Sequence, residues 1–164
     1  MVYSSVSKLL IENQLLPELL EQIRSAKKRI YGTIYYIRVY NRVRNNPVAQ
    51  IVNELWEAKK RGVEIKILLN RQGGGKFVIT PNIQTAKLFE KMGIETKLSE
   101  LGRLTHSKMW IFDDDKVIIG SHNMSTKGLR VSREVSVLTT DQQINKELTD
   151  YFLTNYRNTP PWQK

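Results

Sequence analysis

The chain has 164 residues, of which 40% are hydrophobic, and its 26 Lys and Arg against 16 Asp and Glu give a net charge of +10. This length and composition predict one globular domain and exclude a fibrous or disordered chain. The absence of cysteine excludes disulfide frameworks, thiolate nucleophiles and cysteine-based zinc sites. The positive charge favours a polyanionic partner such as nucleic acid or anionic lipid, with simple solubility as the alternative explanation.

The amino terminus and the apolar stretches bear on localisation. Residues 1–5 lack a charged segment followed by an apolar run, and no apolar stretch reaches the roughly 18 residues of a membrane span. We therefore expect a cytoplasmic protein without stable membrane association.

Helices and strands alternate in the first part of the chain. Apolar residues at helical spacing predict a helix over residues 9–28, with a break or a second helical start at Pro17. A β-branched and aromatic run predicts a buried strand over residues 30–37. Alternation of this kind implies an α/β sheet covered by helices. The elements predicted next are a helix over 47–62, a strand over 64–69, a glycine-rich loop at 73–75, a helix over about 82–92 and a strand over 94–98.

In the last third of the chain the alternation of helices and strands ends, because two predicted strands follow each other almost directly. Residues 106–112 and 116–121 are predicted to form an antiparallel hairpin. A further strand is predicted over 134–138, and a helix over 141–156 with Asp141 as its N-cap. The predicted organisation is a single domain over residues 1–158 and a C-terminal tail over 159–164.

The hairpin carries four side chains that suit phosphate chemistry. A neutral imidazole from His106 can attack phosphorus and split one displacement into two. Lys108 supplies positive charge for the phosphoryl oxygens, and the Ser121 hydroxyl and the Asn123 amide can donate hydrogen bonds to them.

The turn of the hairpin predicts its register. A two-residue turn at 114–115 would pair Asp113 with Lys116. The ladder would then place Lys108 opposite Ser121 and the histidine opposite the asparagine, all on one face of the hairpin. Asp113 would fall on the other face, where we expect a structural role.

This segment resembles the HKD signature of the phospholipase D superfamily, H-x-K-x4-D-x6-G-S-x-N. The resemblance implies the mixed β-sheet flanked by helices of that fold, a nucleophilic histidine, and a lysine and an asparagine that bind phosphate. It implies no metal or other cofactor, and the sequence shows no His, Asp or Glu cluster with metal-ligand spacing. In the family an acidic residue soon after the motif often orients the histidine, and Glu134 is the candidate. The matching residues are His106, Lys108, Asp113, Gly120, Ser121 and Asn123.

The resemblance also implies a second copy of the chain. The family reaction uses two motif histidines, one as nucleophile and one as acid, whereas this chain has one motif and only two histidines. The other, His122, is predicted on the far face of the hairpin. A twofold homodimer that brings His106 and its symmetry mate to one phosphate would complete the site. Single-motif members of the superfamily, mainly small endonucleases, look like that.

Two further stretches are candidates for substrate binding. Aromatic and basic residues interleave over 35–44, which suits base stacking and phosphate contacts, with a solvated charged surface as the alternative. The loop at 73–75 lacks the spacing of a nucleotide-binding loop and is predicted to flank the substrate. The residues concerned are Arg38, Tyr40, Arg42, Arg44 and Lys76.

The sequence thus predicts a metal-independent phosphodiesterase, specifically a nuclease acting on DNA or RNA through a phosphohistidine. A phospholipid-acting hydrolase or transferase is the first alternative, which the same chemistry permits. A catalytically silent nucleic-acid-binding module is the second.

Overall fold

A seven-stranded mixed sheet forms the centre of the protein, which we describe from a computed structural model over residues 5–40 and 45–162. The strands are β1 (Ser7–Ile11), β2 (Arg29–Ile34), β3 (Glu64–Leu69), β4 (Glu95–Leu98), β5 (Met109–Phe112), β6 (Lys116–Gly120) and β7 (Val135–Thr139). The helices are α1 (Leu15–Ser25), α2 (Pro47–Lys60), α3 (Gly75–Lys91), α4 (Thr126–Arg130) and α5 (Gln142–Asn158).

The strand order across the sheet is β1-β7-β6-β5-β2-β3-β4. The strands β2, β3 and β4 run parallel and are connected by the helices α2 and α3, whereas all the other neighbours are antiparallel. The predicted fold class, a mixed sheet flanked by helices, is confirmed.

Helices cover both faces of the sheet. The larger apolar cluster joins one face to α1, α2 and α3, and Trp110 and Phe112 lie within it. The smaller cluster packs α5 against the other face, where the Phe152 ring stacks on Tyr31 with 4.9 Å between ring centroids. Because the centre of each face is packed, the strand ends are the places where polar side chains can gather.

Several elements lie where the sequence predicts them. Helix α2 begins at Pro47, with the Asn46 side chain accepting hydrogen bonds from the first-turn amides, and β3 spans the predicted residues. Helix α5 is capped by Asp141, whose carboxylate accepts the Ile144 N–H. In the stretch predicted as a tail, Thr159 is buried and Trp162 packs against the larger cluster.

The prediction of one helix over 9–28 was wrong at its start. Residues Ser7–Ile11 form β1, which pairs with β7, and a 3-10 turn over Glu12–Gln14 precedes α1. Within β1 only Leu10 is buried, and the other four residues are exposed at the edge of the sheet. Local spacing could not reveal this, because the pairing partner lies more than a hundred residues further along the chain. Pro17 does mark a helical start, since it lies in the first turn of α1.

Helix α3 also begins earlier than predicted. It starts at Gly75 behind a left-handed Gly74 and includes Pro81, which the sequence placed before the helix. Pro81 lies in the second turn, where it lacks a donor for the helical ladder. The next residue, Asn82, is fully buried and uses its side chain to tie this helix to the ends of β2 and β3.

The predicted hairpin register was wrong by one residue. Phe112, and not Asp113, pairs with Lys116, so the turn has three residues and Lys108 lies opposite Gly120. Asp113 takes a left-handed conformation with φ of 49°, which Asp tolerates better than most residues. The first strand is also shorter than predicted, because it begins at Met109.

Asp113 has the structural role expected of it. Its carboxylate accepts the backbone N–H groups of Lys27, Lys28 and Arg29, which ties the hairpin turn to the start of β2. Burial alone would raise the pKa of the Asp113 carboxyl, but these backbone hydrogen bonds bring the pKa below its usual value. Asp113 and His106 lie beyond opposite ends of β5.

We expect Asp113→Asn to lower the free energy of unfolding by about 1.5 kcal/mol at pH 7, because a charged acceptor of several N–H groups is replaced by a neutral one. Since the folded pKa of Asp113 is depressed, its contribution is present above the unfolded pKa and is lost as the pH falls through the folded value. Urea unfolding of both proteins between pH 7 and 2.5 tests this. A difference that does not change with pH would contradict the charge-based explanation.

Candidate active site

The antiparallel pairing of β2 with β5 places the site at one end of the sheet. Thr33 pairs with Met109, so the residues after β2 lie beside the residues before β5. Tyr35 follows β2, and His106 and Lys108 precede β5. Catalytic candidates from distant parts of the chain are therefore brought to the same strand ends.

His106 and Lys108 contact each other directly. The Lys108 Nζ lies 3.3 Å from Nδ1 of His106 and donates to the His106 carbonyl oxygen at 2.6 Å. Tyr35 touches both, with its ring centroid 4.5 Å from that of the imidazole and 4.7 Å from the Lys108 Nζ. The imidazole is exposed, whereas Lys108 is only 9% exposed. The exposed histidine can reach a substrate, and the buried lysine holds it through the contacts with its ring nitrogen and carbonyl oxygen.

The electrostatics of Lys108 follow from its burial. Burial lowers the pKa of the Lys108 ammonium, and the negative charge of Glu134 opposes that shift. A buried cation without a paired carboxylate is costly to the fold and available to an anionic substrate.

Ser121 and Glu134 form the other part of the site. The Ser121 hydroxyl donates to the Glu134 carboxylate and accepts the Val135 N–H at 3.1 Å. In the arrangement described, Glu134 is thus bonded to Ser121 and not to His106. The orienting role of Glu134 therefore stays a prediction.

The Asn123 amide lies at the edge of this group. Its Oδ1 is buried and, among the described residues, has no hydrogen-bond partner. The prediction that His106 lies opposite Asn123 in the hairpin ladder is wrong, because neither residue is part of a strand.

Gly120 and His122 allow the end of β6 and the residues after it to pack closely against β7. A Cβ at Gly120 would lie 2.4 Å from the Val135 carbonyl oxygen and would also collide with Ser136. The His122 ring is buried, with Nε2 2.8 Å from the Glu12 carbonyl oxygen and Nδ1 2.7 Å from the Ser136 Oγ. With both nitrogens occupied, His122 acts as scaffold.

Asn82 and Asn70 support the site and were not predicted from the sequence. Asn82 donates to the carbonyl oxygens of Tyr35 and Asn70, both at 2.8 Å, and accepts the Ile37 N–H. Asn70 accepts the Thr105 N–H, which fixes the chain just before His106. A polar Asn70 directly after the apolar strand β3 was the available signal, since sites form at the carboxyl ends of such strands.

The predicted substrate-binding residues occupy different places. The Arg38 guanidinium lies 4.4 Å from the Tyr40 ring centroid, and the Arg38 N–H bonds to the carbonyl oxygen of Met124, next to the motif. Lys76 is exposed in the first turn of α3. Arg42 and Arg44 lie outside the described residues.

Two grooves flank the motif residues. One is lined by polar residues that include Arg103, His106, Ser107 and Asn155. The other is lined by Tyr36, Tyr40, Asn123, Lys127, Glu134 and their neighbours. A substrate longer than a single phosphate group could therefore extend in two directions from the motif.

Neither a clustered set of metal ligands nor a membrane-spanning helix occurs in the described part of the chain. Over residues 5–40 and 45–162, no three His, Asp or Glu side chains come together in a way that could hold a metal ion. No helix within those two ranges combines the length and apolar character needed to cross a bilayer.

The mixed sheet, with His106 and Lys108 at its strand ends and Ser121 and Asn123 beyond the next strand, has the arrangement that the resemblance to the phospholipase D superfamily implies. The profile of the family described as "Cardiolipin synthase, PLD-like domain" matches residues 19–156. The chain belongs to this phospholipase D-like family. The predicted resemblance is confirmed.

Relatives and solved structures agree with that assignment. Cardiolipin synthase of Staphylococcus aureus is 28% identical over 135 residues, covering 82% of this chain and 25% of the relative. The virion nicking-joining enzyme of vaccinia virus is 23% identical over 137 residues, covering 80% of this chain and 31% of the relative. This chain therefore spans a third or less of these two relatives. The crystal structure of Nuc, a phospholipase D family member from Salmonella typhimurium, shares the fold with a TM-score of 0.82 and 19% identity, over 98% of this chain and 100% of Nuc.

We expect Lys108→Met to raise the thermal midpoint by about 2–4 °C at pH 7, because a buried charge is replaced by an apolar side chain of similar length. The folded pKa of Lys108 is lowered, so the wild type gains stability as the pH rises through that value, and the difference should shrink in alkaline buffer. Circular dichroism melts measure it. The exposed Lys146→Met is the control, and a lower midpoint for Lys108→Met would contradict the prediction.

Proposed function

We propose that this protein is a nuclease that cleaves phosphodiester bonds of nucleic acid through a phosphohistidine on His106. The observation that carries the proposal is the exposed imidazole in contact with the buried, unpaired Lys108 ammonium, at the rim of a groove. A phosphate drawn to Lys108 would lie beside a histidine that is free to attack.

The reaction balances with two histidines. A ring nitrogen of neutral His106 forms a bond to phosphorus, and the bond from phosphorus to the leaving oxygen breaks. The second histidine, protonated, gives its proton to that oxygen. It then removes a proton from water, which attacks phosphorus and breaks the phosphorus–nitrogen bond. No redox partner is needed, and the second imidazole accounts for both proton transfers without a metal.

The two grooves and the charge favour a polymeric anionic substrate. Arg38 and Tyr40 adjoin the groove beside Asn123, Arg103 lines the groove beside His106, and the chain carries a net charge of +10. Basic and aromatic side chains on both sides of a reactive centre suit a phosphate backbone with stacked bases. Substrate contacts by Arg38, Tyr40, Arg42, Arg44 and Lys76 are part of this proposal.

The second histidine is proposed to come from a second copy of the chain. His122 is buried and already bonded on both ring nitrogens, which leaves one histidine per chain for two tasks. A twofold dimer supplies the missing acid without any further residue type.

An uncovered apolar patch on the sheet suits that dimer. Helix α5 packs on β2, β5 and β6, so the same face of β1 and β7 stays open. Leu9, Ile11, Ile119 and Val135 lie on that face, and each is between 39% and 54% exposed. The patch adjoins the motif, because Val135 is bonded to Ser121. A second copy seated on this patch would approach the strands that carry the motif.

Cleavage of nucleic acid in EDTA is the direct test. Wild-type protein should cut plasmid or single-stranded DNA or RNA without added metal, and His106→Asn should lose at least about a thousandfold in rate because the nucleophile is absent. Incubation of the same preparations with vesicles of anionic phospholipid carrying labelled headgroups is the parallel arm. Headgroup release without nucleic-acid cleavage would favour the phospholipid activity instead, a possibility that the cardiolipin synthase relatives keep open.

The shared site is tested with mixed dimers. A dimer of one wild-type and one His106→Asn chain, purified with two different affinity tags, should have almost none of the wild-type activity, because one site needs both histidines. Half of the wild-type activity would mean that each chain works alone.

The patch is tested with Leu9→Glu, which should shift the mass in solution from twice 19.1 kDa toward 19.1 kDa and lose activity in parallel. Trp56→Glu on α2 is the matched control, since Trp56 is 38% exposed on the other side of the sheet. Light scattering that finds Leu9→Glu still dimeric would exclude this patch as the interface.

A further inference from the structure

Tyr35 is fixed in place from two directions. Its carbonyl oxygen accepts a hydrogen bond from the fully buried Asn82. Its hydroxyl lies at the glycine-rich loop, where a Cβ added to Gly74 would come within 2.8 Å of the phenol oxygen. The ring therefore has a defined position against His106 and Lys108.

Lys108 lacks the carboxylate that normally accompanies a buried lysine. Among the described residues no Asp or Glu oxygen lies within ion-pair distance of its Nζ. Glu134 acts on it only through its longer-range field. The groups in contact with the ammonium are the His106 carbonyl oxygen, the His106 Nδ1 and the face of the Tyr35 ring.

An aromatic face and a carboxylate would have different consequences here. Both attract an ammonium, but a carboxylate would neutralise Lys108 and compete with the phosphate for it. The ring attracts the cation through its quadrupole and leaves the full positive charge available. A phosphate would then be the first anion to pair with Lys108.

We propose that Tyr35 is a positioning residue whose aromatic ring holds the Lys108 ammonium and the His106 imidazole, in place of a carboxylate. This inference rests on the proposed phosphodiesterase function and adds a residue to its site. Because the aromatic ring makes both contacts, with its centroid 4.7 Å from the Lys108 Nζ and 4.5 Å from the imidazole centroid, phenylalanine should replace Tyr35 and an aliphatic side chain should not.

The kinetic test compares Tyr35→Phe with Tyr35→Leu, which both lack the hydroxyl and differ in whether they keep an aromatic ring. We expect Tyr35→Phe to stay within about threefold of wild-type kcat/KM and Tyr35→Leu to lose about tenfold or more. The side chains that act on Lys108 besides Tyr35 are His106, on its own segment, and Glu134, before β7, and both are unchanged by these substitutions.

A second measurement does not depend on catalysis. The chain has only two histidines, so a ring-carbon NMR spectrum contains two Cε1 signals, and His106→Ala assigns them. Titration of inorganic phosphate should shift the His106 signal in wild type and Tyr35→Phe, and should need about tenfold more phosphate in Tyr35→Leu. In a Lys108→Met background the Tyr35→Leu change should have little further effect.

The outcomes separate this inference from the proposed function. Equal kcat/KM and equal phosphate titrations in Tyr35→Phe and Tyr35→Leu, with unchanged melting, would overturn the role of the ring. Equal loss in both variants would place the effect in the hydroxyl and would overturn it too. If wild type cleaves no diester but the phosphate titrations differ as expected, the proposed reaction fails and the positioning role stands.

Discussion

The antiparallel pairing of β2 with β5 in the middle of the sheet is the constraint on which the site depends. It brings the end of one strand beside the start of the other, so that Tyr35 lies against Lys108 and His106 although some seventy residues separate them. Among the parallel strands, β3 contributes to the site through Asn70, which directly follows its carboxyl end. This strand order thus gathers a cation, an imidazole and their supporting residues at one end of the central strands, while the apolar clusters cover the centre of each face.

Much of this architecture could be predicted from the sequence, because it depends on local patterns. The helix at Pro47 and the strand after it have clear starts, stops and periodicity, and the motif residues are recognisable by spacing. The predictions that were wrong concern segments whose structure depends on contacts with residues far away in the chain. Residues 7–11 have the apolar spacing of a helix, and only their pairing with β7 makes them a strand. The hairpin turn includes Asp113, whose carboxylate accepts backbone N–H groups at the start of β2.

The residues of the candidate site likewise fall into those that the sequence predicts and those that only the structure reveals. The proposed catalytic groups, His106 and Lys108, could be named from the sequence. The supporting contacts of Tyr35, Asn70 and Asn82 could not be, since they join different strands and helices. Chemistry requires particular residue types at fixed spacing, and a sequence pattern records them. A residue that holds a catalytic group in place needs only a suitable shape and polarity, and many residue types from distant parts of the chain can provide them.

The close contact at Gly120 bears on how the motif itself should be interpreted. Its lack of a side chain is demanded by the backbone of β7 and by Ser136, and not by any group that a substrate would present. Ser136 is in turn held by His122, at a position that the motif leaves variable. The motif thus combines a reactive part with a packing part. A distant homologue that kept this glycine but lost the histidine would preserve the spacing between two strands, and the glycine would be evidence of shared ancestry without being evidence of enzymatic activity.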